Sequence, residues 1–386
     1  MRKTIAHISL ITIILFNMFC LSGCWNYREV ENLLIISGIA IDKDQTTNNY
    51  KLTCEILKIK GGKESEIEAE IVESDGDSIF DAIRNTIKVS GQKLYWAHMQ
   101  TVIISEAVAK EGILPVLDLL GRQSEPRLNL MLVISKEETA KDILTKKTTT
   151  NVITSYAISK MIESTESNTK STISQLYKTI NDLGLEGISI SIPTASVIKS
   201  EDKETLEISG TSIFKKDKLI GFLSDIDVKP LLYVKDEVKG GLLYVNVESD
   251  KGTSGVTLEV TKNKTKIKPK FIDEKAVINI DIDTDVIIGE IDSEDNLLDE
   301  KGIEKIKETA QKNIENDVKN VIKKVQTEFG SDIFGFGKQV KGTMPKKWRK
   351  ISEKWDSDFK DLEVNVKSKV NITGSAQTNI PIKVGD

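Results

Sequence analysis

KGIEKIKETAQKNIENDVKNVIKKVQTEF, residues 301–329, is the stretch around which the rest of the chain has to be arranged. Ile303, Ile306, Ala310, Ile314, Val318, Val321, Val325 and Phe329 recur at steps of three and four residues. They form one continuous stripe of a long amphipathic helix. Such a helix needs an apolar layer to pack on, and its flanks predict one. Downstream, the Gly-rich segment GSDIFGFG (330–337) breaks the helix, and Pro345 suits the first turn of a second helix carrying Trp348, Ile351, Trp355 and Phe359 on one face. Closing strands are predicted near Leu362–Val366 and Val370–Thr373. Upstream, strands are predicted at Leu242–Glu248, Val256–Thr261, Lys266–Ile272 and Ala276–Val286, behind a two-strand unit at Leu206–Phe222 turning through Lys-Lys-Asp-Lys. The second half therefore reads as α+β.

The first half alternates strands and helices. LLIISGIAID and NYKLTCEILKI flank a polar turn around Asp44–Asn49 and read as a hairpin, with Cys54 on the parity of Leu52 and Ile56 as a buried small hydrophobe. In Glu66–Ile71, Ile67, Ala69 and Ile71 face inward and three glutamates form a solvated face. A helix over Ser78–Val89, a strand over Ala97–Ser105 containing His98 as a structural residue, and a helix over Leu114–Arg122 follow. A strand at Asn129–Ser135 and a helix from Glu137 come next. Lys146–Ser174 is rich in Ser, Thr and Lys and reads as a polar, mobile connector around a helix near Val152–Glu163. A composition break at Lys199–Glu204 (KSEDKE) is the expected domain boundary.

The fold class is mixed α/β and α+β: a multi-domain chain of small mixed sheets packed by helices, with the long amphipathic helix in the C-terminal domain. Residues 1–23 form a cleaved leader, 24–199 an N-terminal α/β domain and 204–384 a C-terminal α+β domain with a candidate subdivision near 265.

The leader is read from MRKTIAHISLITIILFNMFCLSGC: Arg2 and Lys3, an apolar run from Ile5 to Leu21, then Leu21-Ser22-Gly23-Cys24. The apolar run is short for a spanning helix. The last four residues match a bacterial lipobox, in which Gly23–Cys24 is the cleavage site and the Cys24 thiolate takes a diacylglyceryl group. Two long acyl chains of the palmitate class, at about 0.8 kcal/mol per buried CH₂, anchor a protein without a further signal. Cleavage takes the formal charge from −5 to −7, because Arg2 and Lys3 leave with the leader.

Composition excludes several classes. With 386 residues, 39% hydrophobic and 29% charged, the chain has enough apolar material for two or three cores and is too apolar for wholesale disorder. Net acidity argues against a dedicated nucleic-acid binder. Three cysteines cannot make a disulfide framework, and two histidines are too few for most His-rich metal sites.

The chemistry motifs fail on inspection. GSDIFGFGK has a phosphate loop's glycine spacing, but Phe336 stands where the lysine belongs and Gln339 follows Lys338 in place of Ser or Thr. Asp281, Asp283 and Asp285 match three calcium-loop positions, but Val286 replaces the obligatory glycine. No nucleophile elbow exists, so no catalytic residue, metal or cofactor is assigned. Lys262, Lys264, Lys266, Lys268 and Lys270 alternate across a predicted hairpin, either as a solubilising strand face or as a contact for anionic lipid or an acidic partner. The Trp348, Trp355 and Phe359 stripe reads as core.

With these residues laid out, the sequence resembles the Ger(x)C family of spore germination lipoproteins, the C subunits of nutrient germinant receptors. The resemblance starts at Cys24-Trp25-Asn26 with Glu29 and continues through Ile36-Ser37-Gly38-Ile39-Ala40-Ile41-Asp42. It includes Ile208-Ser209-Gly210-Thr211 through Phe214 to Gly221, then Lys239-Gly240-Gly241 and Lys264 to Pro269. Its most specific block is Gln326, Asp332-Ile333-Phe334-Gly335-Phe336-Gly337, Pro345, Trp348, Trp355 and Phe359, with Gly374 near the end. Asn26 stands where the family more often has Asp, and Asp227-Val228-Lys229-Pro230 replaces an acidic-Thr-Arg-Gly type stretch. The resemblance implies a non-enzymatic lipoprotein on the outer face of the spore inner membrane, assembled with an A subunit and a transporter-like B subunit. It makes Lys262, Lys264, Lys266, Lys268, Phe334 and Phe336 candidates for partner or membrane contact. The competing expectation, a solute-binding lipoprotein of a transporter, requires two comparable α/β lobes around a cleft.

Overall fold

In the computed structural model, residues 2–20, 33–60, 66–146, 148, 152–200, 203–249, 252–292 and 297–375 are described. Helix α1 (Arg2–Cys20) comes first; no helix among the described residues is long and apolar enough to cross a membrane. Strand β1 (Leu33–Lys43) is buried along most of its length, as a strand covered on both faces must be. Antiparallel strands β2 (Tyr50–Lys60) and β3 (Glu66–Gly76) extend the sheet on one side. Helix α2 (Ile79–Ser90) starts at Ser78, whose hydroxyl accepts the Asp81 N–H at 3.1 Å, and stops at left-handed Gly91. Strands β4 (Lys93–Tyr95) and β5 (Thr101–Ile104) then run parallel to β1, β4 beside Leu33–Ile35 and β5 beside Gly38–Ile41.

Helices α3 (Glu106–Glu111) and α4 (Leu114–Arg122) lead to β6 (Met131–Ser135). Helices α5 (Ala140–Leu144), α6 (Thr154–Asn168) and α7 (Leu176–Leu183) lead to β7 (Ser191–Ser200). Strands β8 (Lys203–Lys215) and β9 (Lys218–Leu223) complete the sheet, whose order is β3-β2-β1-β5-β6-β7-β8-β9 with β4 beside β1. Its centre is parallel and its two wings are antiparallel. Alternate side chains feed two cores: Ile39, Val102 and Leu132 pack with Val116 on one face, Ala40, Ile103 and Val133 with Ile158 on the other.

The second sheet has four strands in the order β10-β11-β12-β13: β10 (Leu242–Ser249), β11 (Gly252–Ile272), β12 (Lys275–Asp292) and β13 (Glu363–Ser375). Helix α8 (Asp225–Val234) links the two sheets. Between β12 and its parallel neighbour β13 lie α9 (Glu300–Lys324), α10 (Phe336–Thr343), α11 (Pro345–Ile351) and α12 (Trp355–Asp358). The predicted stripe on α9 is buried from Ile306 to Val325 against Val245, Leu258, Ile280 and Val366 of the sheet. The same helix protects the edge of β13: Glu315 accepts the Ser368 N–H at 2.9 Å and Gln311 the Val370 N–H at 3.0 Å. Its last turn, Val325–Phe329, widens to π spacing. Gln326 there is buried and donates to the Phe359 and Leu362 carbonyls at 3.0 and 2.8 Å.

Three expectations change. The composition break at 199–204 falls in the β7–β8 hairpin, and hydrogen bonding carries the sheet across it to Leu223. Charged residues gather there because a hairpin tip is solvated, and the architectural seam lies beyond β9. Near 265 there is no subdivision: β11 is one long strand through Thr265, with a bulge between Val260 and Lys262. From residue 152 to 174 the polar stretch contributes to the core, since Ser155, Thr165, Ser171 and Thr172 are buried with their hydroxyls hydrogen-bonded.

Candidate functional site

The segment resembling a phosphate loop builds an anion cradle and fills it with its own carboxylate. Gly330 and Gly335 adopt positive φ (56° and 78°), folding 330–335 back on itself so that Asp332 faces the first turn of α10. Asp332 Oδ1 accepts the N–H groups of Gly335 (2.8 Å) and Phe336 (3.1 Å). Its Oδ2 accepts the Gly337 N–H (2.8 Å) and the Trp355 indole N–H (3.1 Å). Complete burial pushes the Asp332 carboxyl up to about 6, with these four donors pulling the other way. Beneath the cradle Phe334 stacks on Phe336 at 5.1 Å, and both rings meet Phe359; Trp355 meets Trp348 edge-on at 5.3 Å.

The cradle also docks on the first sheet. The Asp332 carbonyl accepts the Ser189 N–H at 2.7 Å, and the Gly187 carbonyl accepts the Lys338 N–H at 2.8 Å. Ser331 Oγ donates to the Phe214 carbonyl at 2.7 Å and lies 2.8 Å from Ser189 Oγ. A Cβ on Gly337 would sit 2.6 Å from the Gly187 Cα, so the two glycines let main chain meet main chain. Around this seam Trp348 donates its indole N–H to Glu186 (2.9 Å), and Lys338 and Lys341 pair with Asp182 (3.1 Å) and Glu186 (3.2 Å). The Trp348 hydrogen bond, with Lys341, holds the Glu186 carboxyl below its usual range. Beside the seam opens a cleft of about 690 Å³, walled by Tyr177 and Asp182 from one half and by Lys235, Glu237 and Phe334 from the other. A Lys178–Glu237 ion pair joins the same two walls.

Gly23 and Cys24 lie outside the described residues. Lys262, Lys264, Lys266, Lys268 and Lys270 do share one exposed face, but on a single strand, since the hairpin turns later at Asp273-Glu274. In register they oppose the aspartates dismissed as a calcium loop: Lys262 faces Asp285, Lys264 Asp283 and Lys266 Asp281. Lys268 pairs diagonally with Asp281 at 2.6 Å. On the other side of the aspartate row stand Lys367, Lys369 and Asn371, and Asn371 donates to Asp283 (2.8 Å) and Asp285 (2.9 Å). The basic face is thus a cation–anion–cation ladder. Phe334 and Phe336 are not surface residues; both are buried under the cradle. His98 is exposed in the turn between β4 and β5, outside the strand expected to bury it. Cys54 is fully buried and its thiol pushed up to about 12, so it is inert. Among the described residues no group of three or more His, Cys, Asp and Glu could hold a metal ion.

Two acidic residues escaped the sequence reading. Glu55, buried on β2, accepts the N–H groups of Thr154 (2.7 Å) and Ser155 (2.9 Å) and the Ser37 hydroxyl (2.7 Å), capping α6 from about a hundred residues away. Asp42 does the same for α5 through Ala140 (2.6 Å) and Lys141 (3.1 Å). Their one-dimensional signal is weak: a lone acid inside an apolar strand.

Comparison with known proteins is consistent over both halves. A profile described as "Spore germination protein N-terminal domain" matches residues 26–197, and one described as "Spore germination B3/GerAC like, C-terminal" matches residues 209–376. This chain belongs to the Ger(x)C family of spore germination proteins. Among curated Ger(x)C relatives, spore germination protein KC of Bacillus subtilis is 26% identical over 97% of each chain. Spore germination protein B3 of the same organism is 27% identical over 91% of this chain and 94% of its own. The crystal structure of the GerBC protein superposes with a TM-score of 0.56 at 22% identity, covering 87% of this chain and 97% of that one.

The Ger(x)C blocks now have physical roles. In Ile36–Asp42, Ser37 binds Glu55 and Asp42 caps α5, while a Cβ on Gly38 would meet Ser155 Oγ at 2.0 Å. In the second block Gly210 turns at φ 80°, and Gly221 lies under the Phe329 ring at the joint between the sheets. In the third, Gly241 (φ 99°) lies against Thr169 at the end of α6. The fourth is the Asp332 cradle. Three of the four blocks bring the two halves together.

Proposed function

We propose that this protein is the lipid-anchored C-type subunit of a nutrient germinant receptor. It is held on the outer face of the spore inner membrane by a diacylglycerol on Cys24. There it acts by assembly with an A subunit and a transporter-like B subunit, without catalysis of its own. One observation carries the reading: the family match begins at residue 26, directly behind the lipobox Leu21–Cys24, and continues to residue 376 with a short gap at 198–208.

The site chemistry supports an assembly role. Asp332, the buried acid with the raised pKa, has both oxygens occupied by N–H donors, so it has no free lone pair aimed at a substrate. Cys54 is sealed in the core. A solute-binding lipoprotein would require two similar lobes; among the described residues one sheet has nine strands and the other four, and the first alone has helices on both faces.

Deletion of the gene followed by germination in defined nutrients tests the reading. Loss of the response to one nutrient class, restored by the intact gene, is expected. A normal response to every nutrient in a strain lacking other receptors overturns it. For the anchor, Cys24→Ala is expected to abolish lipid labelling and release the protein from the membrane fraction; unchanged labelling would refute it.

A further inference from the structure

The strands that end the two sheets are not treated alike. β3 carries Glu68, Glu70, Glu73 and Asp75, β9 lies against α3, and on β13 the Ser368 and Val370 N–H groups are taken by Glu315 and Gln311. Each is a way of blunting an edge. β10 has none of them. It contains neither proline nor an inward-pointing charge, and it pairs with β11 from Leu242 to Ser249 without a bulge. The Gly241 carbonyl accepts the Val260 N–H at 2.9 Å, so odd-numbered residues bond to β11 and the main-chain groups of even-numbered ones point outward. Of the outward carbonyls, that of Leu242 accepts the Lys229 ammonium and that of Glu248 the Lys305 ammonium (3.3 Å). Between these ends, the N–H and C=O groups of Tyr244 and Asn246 have no partner among the described residues. Beside this window Leu242 is 57% exposed and Tyr244 63%. Two charges flank it, Lys229 at one end and Glu248 at the other, and among the described residues neither is in an ion pair.

We propose that β10 is the contact between two copies of this chain, paired antiparallel about a two-fold axis at Val245 so that their second sheets become continuous. The free groups select this register. With Tyr244 opposite Asn246 of the second copy, every free N–H of the window meets a free C=O, and the lysine-held carbonyls fall at the ends. Centring the axis on Tyr244 or Asn246 instead would aim a free N–H at a carbonyl that a lysine already holds. The same register lays Glu248 beside Leu242 of the other copy, where Lys229 is bound, so the two unpaired charges meet at both ends. On the open face the two Tyr244 rings become diagonal neighbours within aromatic reach. The edge is thus complementary to itself, as a two-fold contact requires, and this favours a second copy over a foreign strand.

The test is sedimentation equilibrium of the mature full-length chain in density-matched detergent, and it does not depend on whether Cys24 carries lipid. A reversible dimer is expected. Asn246→Pro removes an outward N–H that the monomer leaves unbonded. It is expected to raise the dimer dissociation constant several-fold with the far-UV spectrum unchanged. Glu248→Lys is expected to weaken the dimer and Lys229→Glu, added to it, to restore it, a readout that stands even if proline at 246 disturbs the fold. In oxidising buffer Val245→Cys is expected to cross-link, because residue 245 faces its own copy as a non-hydrogen-bonded pair with Cα atoms about 4.5 Å apart. Lys268→Cys, away from the edge on β11, is expected not to, and buried Cys54 takes no part. A chain that stays monomeric and does not cross-link at 245 overturns the proposal. A dimer indifferent to Asn246→Pro and to the charge exchange overturns β10 as its interface.

Discussion

Strands β5 and β6, TVII and MLVIS, are buried at every residue, whereas β11 alternates buried and exposed along most of its 21 residues. The first pair lies at the centre of a sheet with helices on both faces; the second lines a sheet with a helix on one face and water on the other. Tolerance should follow the same division. Where both faces are closed, a single added atom meets a neighbour; where one is open, even a charge can be exchanged. The junction at Asp332, buried from both sides, belongs with the first kind.

Asp332→Ala should break the molecule most. It strands three backbone N–H groups and an indole N–H in a dry site and is expected to cost about 4 kcal/mol, read as a lower urea midpoint. A changed denaturant slope would add that the halves no longer unfold together. The same group carries a pH signature. Its folded pKa of about 6 lies above the ordinary 3.8, so the native state holds the proton longer than the unfolded one. Stability contributed by Asp332 is therefore full below 3.8, falls as pH rises towards about 6 and is level above that. Wild type minus Asp332→Asn isolates the effect, and an opposite slope would overturn it.

Gly38→Ala sets a Cβ 2.0 Å from Ser155 Oγ, against helix α6, and should cost about 2–3 kcal/mol. Gly289→Ala, on the second sheet's open face, meets nothing nearer than the Thr257 carbonyl at 3.6 Å and should change stability by less than about 0.5 kcal/mol. Equal costs at the two sites would end the comparison between the sheets. Smallest is the ladder: a double-mutant cycle on Lys268 and Asp281, both about half exposed, should give a coupling under about 1 kcal/mol that salt reduces.

Local patterning was readable in one dimension. The α9 stripe, the Leu114–Arg122 helix, the Ser78 start and the burial of Trp348, Trp355 and Phe359 all follow from periodicity and capping chemistry. Register was not. The lysines of β11 and the aspartates of β12 were both visible, but their opposition depends on the Asp273-Glu274 turn and on bulges that composition does not mark. Reading β11 as two strands, Val256–Thr261 and Lys266–Ile272, has the same origin: the polar residues 262–265 carry no apolar alternation, and pairing on β12 makes the strand continuous through them. The caps from Glu55 and Asp42 span about a hundred residues, beyond any local signal. Phe334 and Phe336 were contact candidates through the family resemblance alone, yet the glycines around them fold the loop about Asp332 and the rings are buried.

The β7–β8 hairpin has a consequence for recombination. The family profiles part company between residues 197 and 209, an inviting crossover for exchanging halves between relatives. A crossover there would graft β8 and β9 of one parent onto the bare β7 edge of the other. Ten residues of β7 would then have to find their hydrogen-bonding mates in a foreign sequence. Chimaeras joined after Leu223, at the Ser224 cap of α8, inherit the whole sheet from a single parent and leave the contacts between the halves to be matched: the cradle around Asp332, Gly221 under Phe329, Gly241 against Thr169 and the Lys178–Glu237 pair.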